Sequence, residues 1–435
     1  MIPVAVTFLP IVQIMTAPAN LTFLRTAVYE FWLMQDFRPP TSFPHGCLRT
    51  IFIPPGLRRS LNRTDVWPCR TLSPRFSNPS SRRSPLPAQQ WAPQRAGRYL
   101  DNLSVELDGD LEQAWGWRGA RLHMSGLYNG GGEPNALAGT LQGVDNIEVA
   151  AQGARLFEAW IEQDLGGSAT LLAGLYDLNS EFYATEASGL LISPPFGIGS
   201  ELASTGPNGP AIFPSSSLAA RLRVGDPDRT YVQAAVVNAD ARTFGDHGGV
   251  DTDLDHGVLA IAEVGSHAPF RYAFGVWRYN QRQDDIRDLT PDGDPAHSIA
   301  QGAYALAEGQ IWGAAAPDGP QVDAFARLGL SDGDTTDFQG GWQAGVLVRQ
   351  VFAARPDSQL SFGLHQGWLS SKARANLTDT PADPARYEEG LELTYADRIG
   401  RFTIQPDIQL IRDPGGLKDV DDVVVVSLRV ITPLF

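Results

Sequence analysis

The sequence predicts an all-β chain, a transmembrane antiparallel β-barrel of about 16 strands. Three observations predict it. The stretches that read as strands are mostly 8–14 residues long and alternate polar with apolar side chains, whereas soluble strands more often run about five or six residues. The connections between them alternate short and long without a break, which places every long loop at one end of the molecule. No run of about 18 uncharged apolar residues occurs, so no helix spans a membrane and a closed barrel is the remaining membrane architecture.

Charge divides the 435 residues into two parts. Residues 1–98 carry twelve Arg, no Lys and three acids, a net of +9, and the remainder carries a net of −24, together the formal −15 of the chain. Both cysteines, Cys47 and Cys69, and three of the four Met lie in the first part. Met1 to Asn20 is apolar and holds Ala17-Pro18-Ala19, a weak match to a signal peptide, lacking a basic head and interrupted by Pro3 and Pro10. From Arg38 to Arg98 the chain is rich in Arg, Pro and Ser with no sustained period. Three readings stay open for residues 1–98: a basic arm, an unstructured segment, or a non-native sequence in place of the true one. The expectation is an unstructured or non-native 1–98 followed by a barrel over 99–435.

Strands are expected near 103–111, 117–127, 154–165, 168–177, 218–225, 229–239, 256–265, 270–280, 301–312, 321–330, 339–352, 358–370, 387–397, 400–412 and 422–434. The alternation is clearest in the stretch GRFTIQPDIQLIRDPGG, where Phe402, Ile404, Pro406, Ile408 and Leu410 share one face and Thr403, Gln405, Asp407 and Gln409 the other. Val322, Ala324, Ala326, Leu328 and Leu330 likewise oppose Asp323, Phe325 and Arg327; Phe157, Ala159 and Ile161 oppose Glu158, Trp160 and Glu162. Tight connections fall at 166–168, 226–229, 267–269, 316–320, 355–357 and around Ile399, and the longer polar ones at 178–217, 240–255, 281–300, 331–338, 371–386 and 413–421. Both termini of an even-stranded barrel lie on the short-turn side. One further strand should therefore precede Tyr99, and residues 1–98 offer no good candidate.

The stretches YLDNLSVELDGDL (99–111), GWRGARLHMSGLYNGGG (116–132), LQGVDNIE (141–148), RLFEAWIEQ (155–163), LLAGLYDLNSEFY (171–183), FGIGSEL (196–202), LAARLRV (218–224), YVQAAVVN (231–238) and QPDIQLIRDPGG (405–416) resemble the carbohydrate-selective porin family, OprB. The resemblance runs in order over about 335 residues. It implies a sixteen-stranded outer-membrane barrel of a Gram-negative bacterium that passes mono- and small oligosaccharides by diffusion, with sugars and outer-membrane lipid as partners, self-association possible, and no nucleic acid. A general pore, or a surface adhesin or scaffold, is the alternative.

No HExxH, GxSxG, P-loop or paired CxxC occurs, so no catalytic signature is present. Glu158 and Glu162 are expected to line the lumen. Arg221 and Arg223 share a face opposite Leu222 and Val224; toward lipid an Arg costs up to ~2–4 kcal/mol at mid-depth, so both are expected to face water in the pore, where a guanidinium donates planar hydrogen bonds to sugar hydroxyls. Trp160 and Tyr176 are expected to stack on sugar rings. Trp277, Tyr279, Trp312, Trp342 and Trp368 are expected in the interfacial girdle. The 178–217 loop is expected to fold inward and carry Asp177 and Glu181 to a constriction, with 136–149 as a short inward helix. Arg429 breaks the apolar register of the last strand, by a bulge or by facing the lumen. No cofactor is expected. Asp251, Asp253 and Asp255, with Gly257 and Glu263, resemble a calcium loop that misses the usual spacing by one residue at the Gly and the Glu, a weak divalent-ion candidate.

Overall fold

The structure, a computed structural model, describes the backbone of residues 4–10 and then residues 96–267, 270–313 and 319–433. In chain order the strands are Val4–Pro10 (β1), Leu100–Asp110 (β2), Ala120–Gly131 (β3), Gly153–Gly166 (β4), Ala169–Tyr176 (β5), Ser217–Asp226 (β6), Thr230–Asn238 (β7), Val258–His267 (β8), Arg271–Tyr279 (β9), Gln283–Leu289 (β10), Pro295–Ser298 (β11), Gln301–Trp312 (β12), Gln321–Ser331 (β13), Phe338–Arg349 (β14), Gln359–Leu369 (β15), Tyr387–Ile399 (β16), Phe402–Arg412 (β17) and Val423–Pro433 (β18). Four short α-helices accompany them among the described residues: Leu111–Trp115 (α1), Asn135–Ala138 (α2), Ser200–Ala203 (α3) and Ser371–Thr378 (α4). All pairings are antiparallel, and sixteen strands close into a barrel in sequence order, β10 and β11 forming a separate hairpin in the 280–300 connection. No helix among the described residues is long and apolar enough to cross a membrane.

All fifteen strands read from the sequence between 103 and 434 are present. The sixteenth is β1, which pairs with β2 from Val4↔Leu107 to Pro10↔Asp101 and touches β18 at Thr7↔Pro433 and Phe8↔Thr432. The further strand that parity requires before Tyr99 is thus present, and what is corrected is the expectation that residues 1–98 offer no good candidate for it. Its seven residues carry no polar alternation and end on Pro10; a short apolar run of this kind resembles the head of a leader. The rest of the 1–95 reading, with Cys47 and Cys69, lies outside the described residues.

Register follows the pleat. Asp323, Phe325 and Arg327 are buried inward while Leu328 and Leu330 stand exposed outward; on β17 Gln405, Asp407 and Gln409 point in and Phe402 points out. Leu222, Val232, Val236, Val264, Phe274 and Val276 continue the outward apolar belt, which bilayer hydrocarbon covers. Tight turns occupy one rim: Gly166, Gly167 and Ser168 all take positive φ (81°, 62° and 66°), a reversal that two glycines make cheap.

Two girdle expectations fail here. Trp277 and Tyr279 alternate with the outward Phe274 and Val276 and face inward, where they join a buried cluster with Leu178, Phe182, Tyr183 and Leu202. Trp312 faces out at 60% exposure, displaced by a bulge between Gln310 and Trp312; Trp342 and Trp368 face out and share the Gln366 Oε1 acceptor. Phe157 also leaves the predicted face: a bulge opposite Ser125 and Gly126 turns it inward, edge-on to Phe213 at 6.1 Å. Arg429 faces the lumen side and donates to Asp145 Oδ1 (2.8 Å) and Asn146 Oδ1 (2.7 Å).

Candidate functional site

Two connections fold into the barrel, and wall side chains hold their backbones there. The carboxylate of Glu388 accepts the N–H groups of Leu141, Gln142 and Gly415 at 2.8–2.9 Å. That of Glu392 accepts the N–H groups of Ile192 and Ser193. Glu308 takes the Ala187 N–H, and Glu263 the Tyr183 N–H. Arg327 donates to the carbonyls of Tyr183, Pro195 and Gly197 at 2.7–3.1 Å, and Gln405 and Gln409 donate to those of Leu190 and Val144. Irregular backbone inside a barrel needs such partners, since little water reaches it. Both inward placements expected from the sequence are therefore observed. The helix of the 135–149 arm is shorter than expected, four residues ended by Gly139.

These arms fill one side of the lumen against β7–β9 and β12–β18. The opposite wall, β2–β6, carries the candidate site. Arg121, His123 and Ser125 on β3 pair with Glu162, Trp160 and Glu158 on β4, so all six point inward. The Trp160 indole stacks on the His123 ring (centroids 5.0 Å, 23° between planes) and donates Nε1–H to Glu158 Oε1 at 3.1 Å. His123 Nδ1 lies 2.8 Å from Asp108 Oδ1, and its Nε2 lies 3.6 Å from Glu158 Oε2.

Next to this group sits a network of fixed charge. Glu181, at the mouth of the inward loop, accepts from Arg221 Nε (2.7 Å) and Nη2 (2.8 Å), from Arg223 Nη2 and from the Tyr176 hydroxyl (2.6 Å). Arg221 also donates to Glu162 Oε2 (2.9 Å) and Thr170 Oγ1 (2.8 Å). The other oxygen of Glu162 accepts from Arg121 Nη2 at 2.9 Å, and Arg223 Nε donates to Gln233 Oε1 at 3.0 Å. Burial alone would push the Glu181 carboxyl up; the guanidinium groups of Arg221 and Arg223 outweigh it and hold it below the ordinary range. Asp177 behaves oppositely. Burial, then the nearby Glu158 charge, push it up to about 7, against the Asn179 N–H that its side chain accepts at 2.9 Å.

Of the eight site residues read from the sequence, Glu158, Trp160, Glu162, Tyr176, Arg221 and Arg223 all project inward from β4–β6, and Asp177 and Glu181 lie beside them at the start of the loop. Two assignments change. The Arg221 side chain is 0% exposed, so it does not face water: four donor contacts lock it between Glu181, Glu162 and Thr170. Tyr176 is buried with its hydroxyl committed to Glu181, which leaves no ring face for a sugar. The wall also presents residues not singled out from the sequence, Arg121 and Asp108, whose side chains are 73% and 68% exposed, together with His123. The signal was present: Arg121, His123 and Ser125 alternate with Leu122 and Met124.

Two acidic groups of the calcium-loop candidate have protein partners. Asp251 accepts from Asn238 and lies 3.4 Å from Arg242 Nη2, while Glu263 sits inside the barrel on β8, bonded to the hydroxyls of Tyr231 and Tyr304. Among the described residues no three His, Cys, Asp or Glu side chains are grouped to hold a metal ion.

A closed sixteen-stranded barrel with an apolar outer belt and a lumen narrowed by its own loops defines an outer-membrane diffusion channel. The profile of the carbohydrate-selective porin, OprB family matches residues 94–432, and the chain belongs to that family. It is similar to Porin B of Pseudomonas aeruginosa, 21% identical over 380 residues that cover 78% of this chain and 82% of that protein. Its fold is similar to that of Pseudomonas putida OprB in a high-pH structure, with a TM-score of 0.69 and 20% identity over 79% of this chain and 90% of that one. The protein is thus a sugar-selective porin of the Gram-negative outer membrane, and this membership implies a channel rather than an enzyme.

Proposed function

We propose that the pore selects small neutral sugars, monosaccharides first, at the wall formed by Arg121, His123, Glu158, Trp160, Glu162 and Arg223. The observation that carries this reading is the arrangement around Arg121. Its guanidinium is largely exposed, makes one charge-paired contact to Glu162, and stands beside the stacked Trp160–His123 pair. Free planar donors next to aromatic rings suit a solute with hydroxyls at its edge and C–H groups on its face. Charges of both signs line this wall, unlike the single-sign ring of an ion filter. Exchanging water for such partners changes each hydrogen bond by only ~0.5–1.5 kcal/mol, so binding stays weak enough for release. Arg221, Tyr176 and Glu181 act behind the wall, holding Arg223 and the loop mouth in place. Self-association would add pores without altering this site, because each lumen closes on its own strands.

Proteoliposomes carrying the full chain test this. Swelling in glucose should outpace swelling in a neutral amino acid of similar size, and added glucose should reduce single-channel ion current. Arg121→Ala should weaken that block. Equal swelling with no block would leave a general pore, and no swelling would favour an adhesin or scaffold.

A further inference from the structure

The outer wall holds a feature that sugar passage does not use. Across β6–β9, β12 and β13 the outward side chains shrink to alanine at Ala220, Ala234, Ala260, Ala262 and Ala303. Taller neighbours rim this floor: Leu222, Val236, Val276 and Leu330, all roughly half exposed. The result is an apolar groove of about 980 Å³ on the lipid-facing surface.

One end of the groove is polar. Register places Arg278 between Ala260 and Gln301, one residue before β9 ends, on the rim that carries the long connections. Arg278 is exposed and donates Nη1–H to Gln301 Oε1. That contact leaves the Nε and Nη2 donors of the fork for a second acceptor. Asp332 also lines this end, but its carboxylate is committed to donors of its own loop and strand: Oδ1 accepts the Gln301 N–H, and Oδ2 accepts the N–H groups of Asp334 and Thr335 and the Thr335 hydroxyl.

We infer that this groove binds an acylated, phosphorylated glycolipid of the outer leaflet, with an acyl chain on the alanine floor and a phosphate on Arg278. An acyl chain fits a smooth apolar channel that offers it no polar partner. A phosphate fits a planar cation with free parallel N–H groups, and the pair strengthens at the edge of the hydrocarbon, where water is scarce. Long connections lie on the outer side of such barrels, so the charged end of the groove meets the leaflet whose lipids carry both groups. The groove is concave and its one uncommitted charged group is the Arg278 cation, which a second copy of the same surface would not complement.

The test is retention of lipid through purification. The full chain, extracted in mild detergent from a Gram-negative host, should carry phosphorylated glycolipid measurable by mass spectrometry. Arg278→Gln should lower the amount retained about tenfold, the loss of one charge-assisted contact. Ala234→Phe with Ala262→Phe, which fills the floor, should do the same, and Arg412→Ala, an outward arginine elsewhere on the rim, should not. Delipidated protein should rebind the phosphorylated glycolipid and not its dephosphorylated form. Equal retention by all variants, or no glycolipid on the wild type, would overturn the site. So would purification as an oligomer that the Phe variant dissociates, since a second copy would then cover the groove.

Discussion

Arg121 on β3 and Arg327 on β13 are both inward-facing arginines between apolar outward neighbours, yet Arg121 stands open to the lumen and Arg327 is buried under the 178–216 loop. Their surroundings differ in the same way. On the β2–β6 wall, the side chains of Asp108 and Arg121 stand largely exposed to the lumen. On the β12–β18 wall, Glu308, Arg327, Glu388 and Glu392 commit their donors or acceptors to loop backbone. Polar inward residues therefore fall into two groups in this barrel: one wall leaves side chains open to the lumen, the reading wall of the proposed function, and the other holds the plug.

The largest effect should come from releasing the plug. Arg327→Ala leaves the carbonyls of Tyr183, Pro195 and Gly197 without their donors, and also removes a cation 5.5 Å from the Tyr183 ring. Contacts from a charged donor are worth ~1.5–3 kcal/mol each. Single-channel conductance should rise severalfold and the swelling preference for glucose over larger sugars should shrink. Unchanged conductance would mean that β12–β18 does not hold the plug alone.

The alternation was legible in the sequence over most of the barrel, because a barrel strand needs only one polar and one apolar face, and it failed where bulges shift the register at Phe157 and Trp312. What each polar group faces was not legible. Arg221 and Arg223 are two residues apart with apolar flanks, and both reach Glu181, forty residues from Arg221; the added contacts of Arg221 to Glu162 and Thr170 close a buried cage around it and leave Arg223 at the lumen edge. The misassigned Trp277 and Tyr279 fit an interfacial girdle equally well by sequence; the plug residues they pack against decide otherwise. β1 was missed because its short run VAVTFLP carries no polar alternation.

A second, smaller break lies where the two walls meet. Glu181→Ala should leave the guanidinium of Arg221 buried with half its compensation, at a cost of about 3–5 kcal/mol. Thermal denaturation in detergent should show that loss, and the double variant with Arg221→Met should recover most of it. Additive losses in the double variant would show that the two side chains do not depend on each other.

Acidity sharpens the same junction. Asp177 has its folded pKa raised to about 7 from 3.8, so the stability it lends is complete below about pH 4 and is lost as pH rises through 7. Glu181 has its pKa lowered, so its contribution holds above 4.5 and is lost as pH falls through the depressed value. The loop mouth should be held best between about pH 4 and 4.5. Asp177→Asn keeps an acceptor for the Asn179 N–H and removes the titration. Its melting temperature relative to wild type should therefore rise between pH 5 and pH 8, and a constant offset would count against the raised pKa.

The smallest expected effect belongs to the reading wall itself. Trp160→Leu removes an aromatic face while keeping an apolar side chain, and leaves His123 with Asp108 as its remaining close partner on this wall besides Glu158. Aromatic contacts add ~0.5–1.5 kcal/mol beyond area, so sugar block of the ion current should weaken about two- to tenfold. Conductance without sugar should stay near wild type, because Trp160 makes no hydrogen bond to the plug backbone and the leucine keeps its apolar packing at the edge of the plug cluster. The contrast with Arg327→Ala is the point of the measurement. A wall that reads should change sugar affinity and leave the open pore alone, and a wall that holds should change the pore. If Trp160→Leu altered conductance as much as affinity, the two walls would not divide the work in this way.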